Sequence, residues 1–251
     1  MVDEKPLIEA DPSLEYEVWG VEDPRLTWVE ELGVWAIAYT SFGPGGPGLS
    51  LATTKDFRTV ERLGLVRAPE DKNGALLPRR VNGDFILFHR PVTSLTHRAD
   101  FWLSRSKDLQ MWHPPEPVMG ARRGGWWDSA RIGIGPPPME TSEGWLMIYH
   151  GVRQTVAGAL YRAGLALLDL EEPTRVLRRC AEWVLGPQEP YELVVDVPGV
   201  VFPCGLVPSA DSDELRLYYG AADTCVAVAT ASTSEILDFV LTHGDEPDRA
   251  A

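Results

Sequence analysis

The stretch "GALLPRRVNGDFILFHRP", Gly74 to Pro91, reads as a β-hairpin. A short apolar run leads into Val81-Asn82-Gly83-Asp84, and Asn-Gly between apolar runs is a strong hairpin signal. Phe85-Ile86-Leu87-Phe88 then forms the return strand. A strand this apolar is a buried one, yet it ends in His89-Arg90-Pro91, an imidazole and a guanidinium at its tip. The pattern implies a strand that is core along its length and reaches a polar site only at its end.

The hairpin recurs. Four times an apolar strand, a polar turn and a second strand are followed by a third strand of small and β-branched residues. These segments begin at "GVEDPRLTWVEELGVWAIAYTSF", at "GALLPRRVNGDFILFHRP", at "ARIGIGPPPMETSEGWLMIYHGV" and at "GVVFPCGLVPSADSDELRLYYGAAD". The third strands start near Leu49, Phe101, Gly164 and Cys225, spaced by 52, 63 and 61 residues. Strong helix signals are nearly absent, and 23 Gly and 21 Pro supply many turns. Short antiparallel sheets repeated at this interval predict an all-β chain, a β-propeller with about four blade repeats. The reading is of one propeller domain over 1–251: an N-terminal extension to residue 19, blades over 20–240 and a polar tail over 241–251. On this reading the "HRP", "YHG" and "GAAD" segments end inner strands around one shared funnel. A β-sandwich with unrelated loops is the competing architecture.

Composition narrows the function. The chain has 251 residues and a formal net charge of -14, which argues against non-specific nucleic-acid binding because phosphate neutralisation needs basic surface. No apolar run approaches the roughly 20 residues that span a bilayer, so no membrane partner is expected. The acidic N-terminus lacks the apolar core of a signal peptide. Cys180, Cys204 and Cys225 have no metal-ligand spacing and read as reduced thiols of a cytoplasmic protein. No metal, dinucleotide or phosphate-loop motif appears, so no cofactor is expected. A homo-oligomer is left open.

With these motifs in view, the chain resembles glycoside hydrolase family 130. "GVEDPR", "LLPRRVNGDFILFHRP", "GPPPMETSEGWLMIYHGV" and "VVFPCGLV…LYYGAADT" stand in the family's order, from about Gly20 to Ser232. The resemblance implies a five-bladed propeller acting on β-mannosides, as phosphorylase or mannosidase. The family carries a whole blade ahead of "GVEDPR", where this chain has 19 residues, so the first blade is expected to be lacking. It also implies an Asp as general acid in a segment like "KDAALFP". Here the segment reads "DKNGALLP", which puts Asn73 at the catalytic position, with Asp71 the nearest substitute carboxylate and expected to point the same way.

Phosphorolysis needs a proton for the leaving oxygen and a cationic cradle for phosphate, for which Arg forks are suited. The candidates for that cradle are Arg90, Arg105, Arg131, Tyr149 and His150. Arg131 stands where the resemblance implies a Lys. Glu22, Asp23 and Arg25 of "VEDPR" and Asp223 of "GAAD" look like mannose-holding residues. Trp126, Trp127 and Asp128 are candidates for an acceptor wall. The leading expectation is an inverting β-mannoside phosphorylase that releases α-mannose 1-phosphate, with inorganic phosphate as co-substrate. The alternatives are an inverting β-mannosidase, for which Glu140 and Asp71 are candidate carboxylates, and a non-catalytic sugar-binding propeller.

Overall fold

A computed structural model describes residues 3–92, 99–194 and 196–245. The chain forms four antiparallel sheets in sequence order, the blades of a propeller. The first holds β1 (Gly20–Val29), β2 (Val34–Gly43), β3 (Gly46–Thr54) and β4 (Glu61–Arg67). The second holds β5 (Asp71–Leu76), β6 (Phe85–Pro91), β7 (Phe101–Ser106) and β8 (Glu116–Met119). In the third, β9 (Arg131–Ile134) and β10 (Met139–Thr141) both pair with β11 (Gly144–Thr155), followed by β12 (Gly158–Leu168) and β13 (Val176–Cys180). The fourth has β14 (Val201–Pro208), β15 (Glu214–Ala221) and β16 (Cys225–Ser232). The third strands foreseen at Leu49, Phe101, Gly164 and Cys225 all lie within third strands of blades.

The cores lie between blades, which explains the unbroken apolar run of β6. Phe85 and Leu87 pack toward the first blade with Leu49 and Leu51. Ile86 and Phe88, on the opposite face, pack toward the third with Trp145 and Met147. Alternate residues of a strand face opposite ways, so a strand sandwiched between neighbours must be apolar at every position. The same holds for β11: Trp145, Met147 and Tyr149 face the second blade, while Leu146 and Ile148 face the fourth.

The axis corrects one expectation. The innermost strands are β1, β5, β9 and β14, the first of each blade, and not the apolar strands that carry "HRP" and "YHG". Near the axis, Arg25 Nε of β1 donates to Gly135 O (2.6 Å), just beyond β9, and Arg25 Nη2 to Pro203 O of β14 (3.4 Å). Thr27 Oγ1 of β1 donates to Leu76 O of β5 (2.9 Å).

Helix is not negligible either. Besides the one-turn α1 (Pro190–Leu193), α2 (Thr233–His243) closes the fourth repeat and packs Val240 against the third blade's core. Its N-cap is legible: Ser232 Oγ accepts from Glu235 N, and Ser-Thr-Ser-Glu is a capping-box sequence. The segment read as a polar tail begins inside this helix, and β17 (Gly244–Asp245) pairs with Arg179 and Cys180 of β13. Residues 246–251 of that tail lie outside the described residues.

Candidate active site

Two irregular inner strands build the site. The β1–β2 register shifts between Glu22 and Arg25, and the β5–β6 register shifts between Lys72 and Ala75. At these bulges Asp23 (φ 55°) and Asn73 (φ 53°) adopt left-handed conformations. A bulge suspends the strict alternation of side chains and commonly re-aims them beside functional sites. Its effect here is that consecutive residues, Glu22 with Asp23 and Lys72 with Asn73, all line one cavity of about 630 Å³. Asp223, also left-handed (φ 53°), enters from the turn after β15. Non-glycine residues held in that region carry local strain, and three of the seven such residues among those described, Asp23, Asn73 and Asp223, meet at this cavity.

The opposite wall is cationic and aromatic. Arg90 from β6, Arg131 from β9 and His150 from β11 line it with Tyr161 and Phe202. Arg90 Nη1 stands 3.5 Å from His150 Nε2, and Arg131 Nη2 donates to Tyr161 Oη at 2.7 Å. The His150 ring lies against Phe202, centroids 4.5 Å apart. Gly133 permits this convergence: a Cβ there would overlap the His150 ring and come within 2.8 Å of Asn73 Oδ1.

On this wall Arg90 and Arg131 form no ion pair among the described residues. Arg90 is 8% exposed, and its Nε has no hydrogen-bond partner among the described residues. Burial, with Arg131 nearby, pulls its pKa down to about 10. Burial first, and then Arg90, Arg25 and Arg131, holds His150 well below the ordinary histidine range, so its ring is neutral. Asn73 Oδ1 is likewise buried without a hydrogen-bond partner among the described residues. Native structures rarely leave several such groups unsatisfied in one place, and a cluster of them in a cavity marks a ligand position. On the acidic side, Lys72 Nζ pairs with Glu22 Oε1 at 2.8 Å, and Asn73 Nδ2 donates to Asp23 Oδ2 at 3.4 Å. Burial raises the Asp23 pKa against the pull of Arg25.

Several sequence expectations are corrected. Tyr149 does not join Arg90 and His150: it neighbours His150 on a regular strand and so faces the other way. Its hydroxyl donates to Asp128 Oδ2 (3.0 Å) and its ring stacks on Trp127. Asp128 is fully buried and held by Arg122 and Arg179, making it a structural anchor rather than part of a sugar site. Trp127 is core; Trp126 is exposed beneath the Arg122 guanidinium. Arg105 pairs with Glu116 and Glu172 away from the cavity. Arg25 is 1% exposed and spent on backbone carbonyls across the axis, so it ties blades together instead of lining the cavity.

Asp71 also departs from expectation. The bulge at Asn73 breaks the extended geometry that would have aligned the two. Asp71 turns into the second blade, where Oδ2 meets His89 Nδ1 at 2.6 Å and Oδ1 accepts the Arg90 backbone N–H. His89 Nε2 in turn meets Ser104 Oγ at 3.0 Å. The buried polar chain accounts for the histidine at the strand tip. Glu140 is held by Arg79 on the surface. Lys72, Tyr161 and Phe202 were missed. Phe202 lies within the "VVFPCG" segment and Lys72 adjoins Asn73, whereas Tyr161 has no local signal.

Fold and cavity together define a class: a β-propeller with one mixed acidic and cationic pocket at its axis. The family model for glycoside hydrolase family 130, described as beta-1,4-mannooligosaccharide phosphorylase, matches residues 3–242. The chain belongs to that family. It is 40% identical over 231 residues to the beta-1,4-mannooligosaccharide phosphorylase of Ruminococcus albus, covering 91% of this chain and 68% of that protein. It is 37% identical to the beta-1,2-mannobiose phosphorylase of Listeria innocua, covering 94% and 64%. The solved structure of beta-1,2-mannobiose phosphorylase from Listeria innocua, in complex with beta-1,2-mannobiose, superposes with a TM-score of 0.89 at 36% identity, over 96% of this chain and 66% of that one. The chain thus spans about two thirds of the length of these relatives.

Proposed function

We propose that this chain carries the site of an inverting β-mannoside phosphorylase: β-mannoside plus inorganic phosphate gives α-mannose 1-phosphate and a shortened acceptor. One observation carries the reading. Among the described residues Arg90 is a buried guanidinium that forms no ion pair, set beside a neutral His150 and Arg131 in the cavity wall. An unpaired buried cation is costly, and an anion at its fork offsets that cost through charge-assisted hydrogen bonds. Phosphate placed there needs no base to attack C1. Asp23, Glu22 and Asp223 form the sugar side of the cavity, where carboxylates accept hydroxyl hydrogen bonds. Tyr161 and Phe202 offer apolar faces for a pyranose ring. Phosphate is a co-substrate, and transfer of a mannosyl group to it makes the reaction a glycosyl transfer. Three free thiols suit a cytoplasmic setting.

The carboxylate pair that the sequence offered for hydrolysis, Glu140 and Asp71, lies outside the cavity, and each member is already engaged. Sugar binding without chemistry is favoured only by Asn73, whose amide cannot act as a general acid. Incubation with β-1,2- and β-1,4-mannobiose, with and without phosphate, tests the reading. Phosphate-dependent release of mannose 1-phosphate supports it; phosphate-independent hydrolysis, or binding with no turnover, overturns it.

A further inference from the structure

We propose that Trp19 and Phe42 form a distal sugar subsite on the rim of the axial cavity, which makes mannooligosaccharides of three or more units the preferred substrates. The inference deepens the phosphorylase reading and rests on it. The two ring centroids stand 5.4 Å apart with the planes tilted by 56°. Both rings are exposed, Trp19 at 60% and Phe42 at 37%. Aromatic faces of this kind pack on the C–H side of a pyranose ring.

Strand register places the pair beside the cavity. Phe42 of β2 lies opposite Gly20 of β1 on one side and Pro47 of β3 on the other. Paired residues share a face of the sheet, and so do residues two apart on one strand. Phe42 therefore shares a face with Pro47 and with Glu22, two residues on from Gly20, and both of those line the cavity. Ala36 and Ala38 on the same face of β2 pack into the core shared with the second blade, and Phe42 continues their row out to the rim. Trp19 is tied to it, its backbone N–H donating to Phe42 O at 2.9 Å.

Between the rings and Glu22 the surface is bare. Gly20 has φ 140°, and a Cβ built on it would meet nothing within 4 Å. Two residues of strand span about 7 Å, room for one sugar ring. A chain with one unit beside Glu22 thus passes the next over Gly20 and onto Trp19 and Phe42. Glu70, whose side chain lies beside Gly46 at the β2–β3 turn, also lines the cavity and offers a carboxylate to the sugar hydroxyls.

Chain length separates a sugar subsite from an aromatic pair that merely happens to be exposed. With phosphate present, the wild-type kcat/KM should be about three- to tenfold higher on mannotriose than on mannobiose of the same linkage, the scale of one aromatic packing contact. The β-1,2 and β-1,4 series are both measured. In Trp19→Ala and Phe42→Ala this ratio should collapse to near parity, and Trp19→Tyr should restore most of it. Trp28, exposed at the other end of β1, is the control: Trp28→Ala should keep the wild-type ratio. Parity in the wild type for both linkages, or a ratio that survives both alanine variants, would overturn the subsite. Turnover without phosphate rejects phosphorolysis alone, because the length ratio remains readable under hydrolysis. With no turnover at all, calorimetric titration with the two sugars reads the same contrast as a ratio of Kd values.

Discussion

The Arg90 guanidinium and the His150 imidazole, from β6 and β11 and 60 residues apart in the chain, meet at 3.5 Å on one cavity wall. Neither has a carboxylate partner among the described residues. A cation and a neutral base in contact, both cut off from solvent, form a site that stabilises an incoming anion more than it stabilises the empty fold.

Arg90→Ala should therefore weaken phosphate use without loss of stability. Charge-assisted hydrogen bonds of about 1.5–3 kcal/mol correspond to a roughly ten- to hundredfold rise in the phosphate KM. Removing a buried cation that forms no ion pair among the described residues gives up only two long contacts, at 3.5 Å to Ile132 O and to His150 Nε2, so the urea midpoint should change little. Steady-state kinetics and equilibrium unfolding of one preparation check both halves.

The neutral His150 predicts a slope of stability with pH. Its native pKa lies well below that of the unfolded chain, near 6.5. Below pH 6.5 the unfolded state binds a proton that the native state does not, so stability is present above that pH and is lost as pH falls. The slope is about 1.4 kcal/mol per pH unit. In His150→Phe this contribution is absent. Between pH 7 and 5 the unfolding free energy of the wild type should fall more steeply than that of His150→Phe; parallel curves for the two proteins would overturn the lowered pKa of His150.

Asp71→Asn should cost stability rather than chemistry. Breaking the buried Asp71–His89 pair strands one partner, at about 3–5 kcal/mol. Turnover per folded molecule should stay within a few-fold of wild type. Denaturant titration paired with active-site-normalised rates distinguishes them.

Gly133→Ala tests the packing that lets the cavity wall form. The added methyl overlaps the His150 ring, and overpacking of this kind costs about 1–3 kcal/mol. The ring must shift from Arg90, so phosphate-dependent turnover should drop by much more than the loss of folded protein. A variant with full phosphate affinity would show that His150 can move without consequence for the site.

What the sequence determined by itself was periodic and local. The Asn82-Gly83 turn, the doubly apolar β6 and the spacing of third strands specify blades, since each follows from short-range turn chemistry and from burial on both faces. Arg90 was legible because it ends such a strand, and His150 because it breaks an apolar run, although β11 continues past it to Thr155. The tertiary structure decided which way side chains face where periodicity fails. Bulges at Asp23 and Asn73 depend on pairing with β2 and β6, and they turn Lys72 and Asn73 into the cavity while sending Asp71 to His89. Tyr149 was lost to the cavity by simple alternation beside His150. Tyr161 and the axial role of Arg25 had no sequence signal, because their partners, Arg131 and the carbonyls of Gly135 and Pro203, lie 30, 110 and 178 residues away. A residue's type records what it can bond, but only the closed ring of blades brings those distant partners within reach.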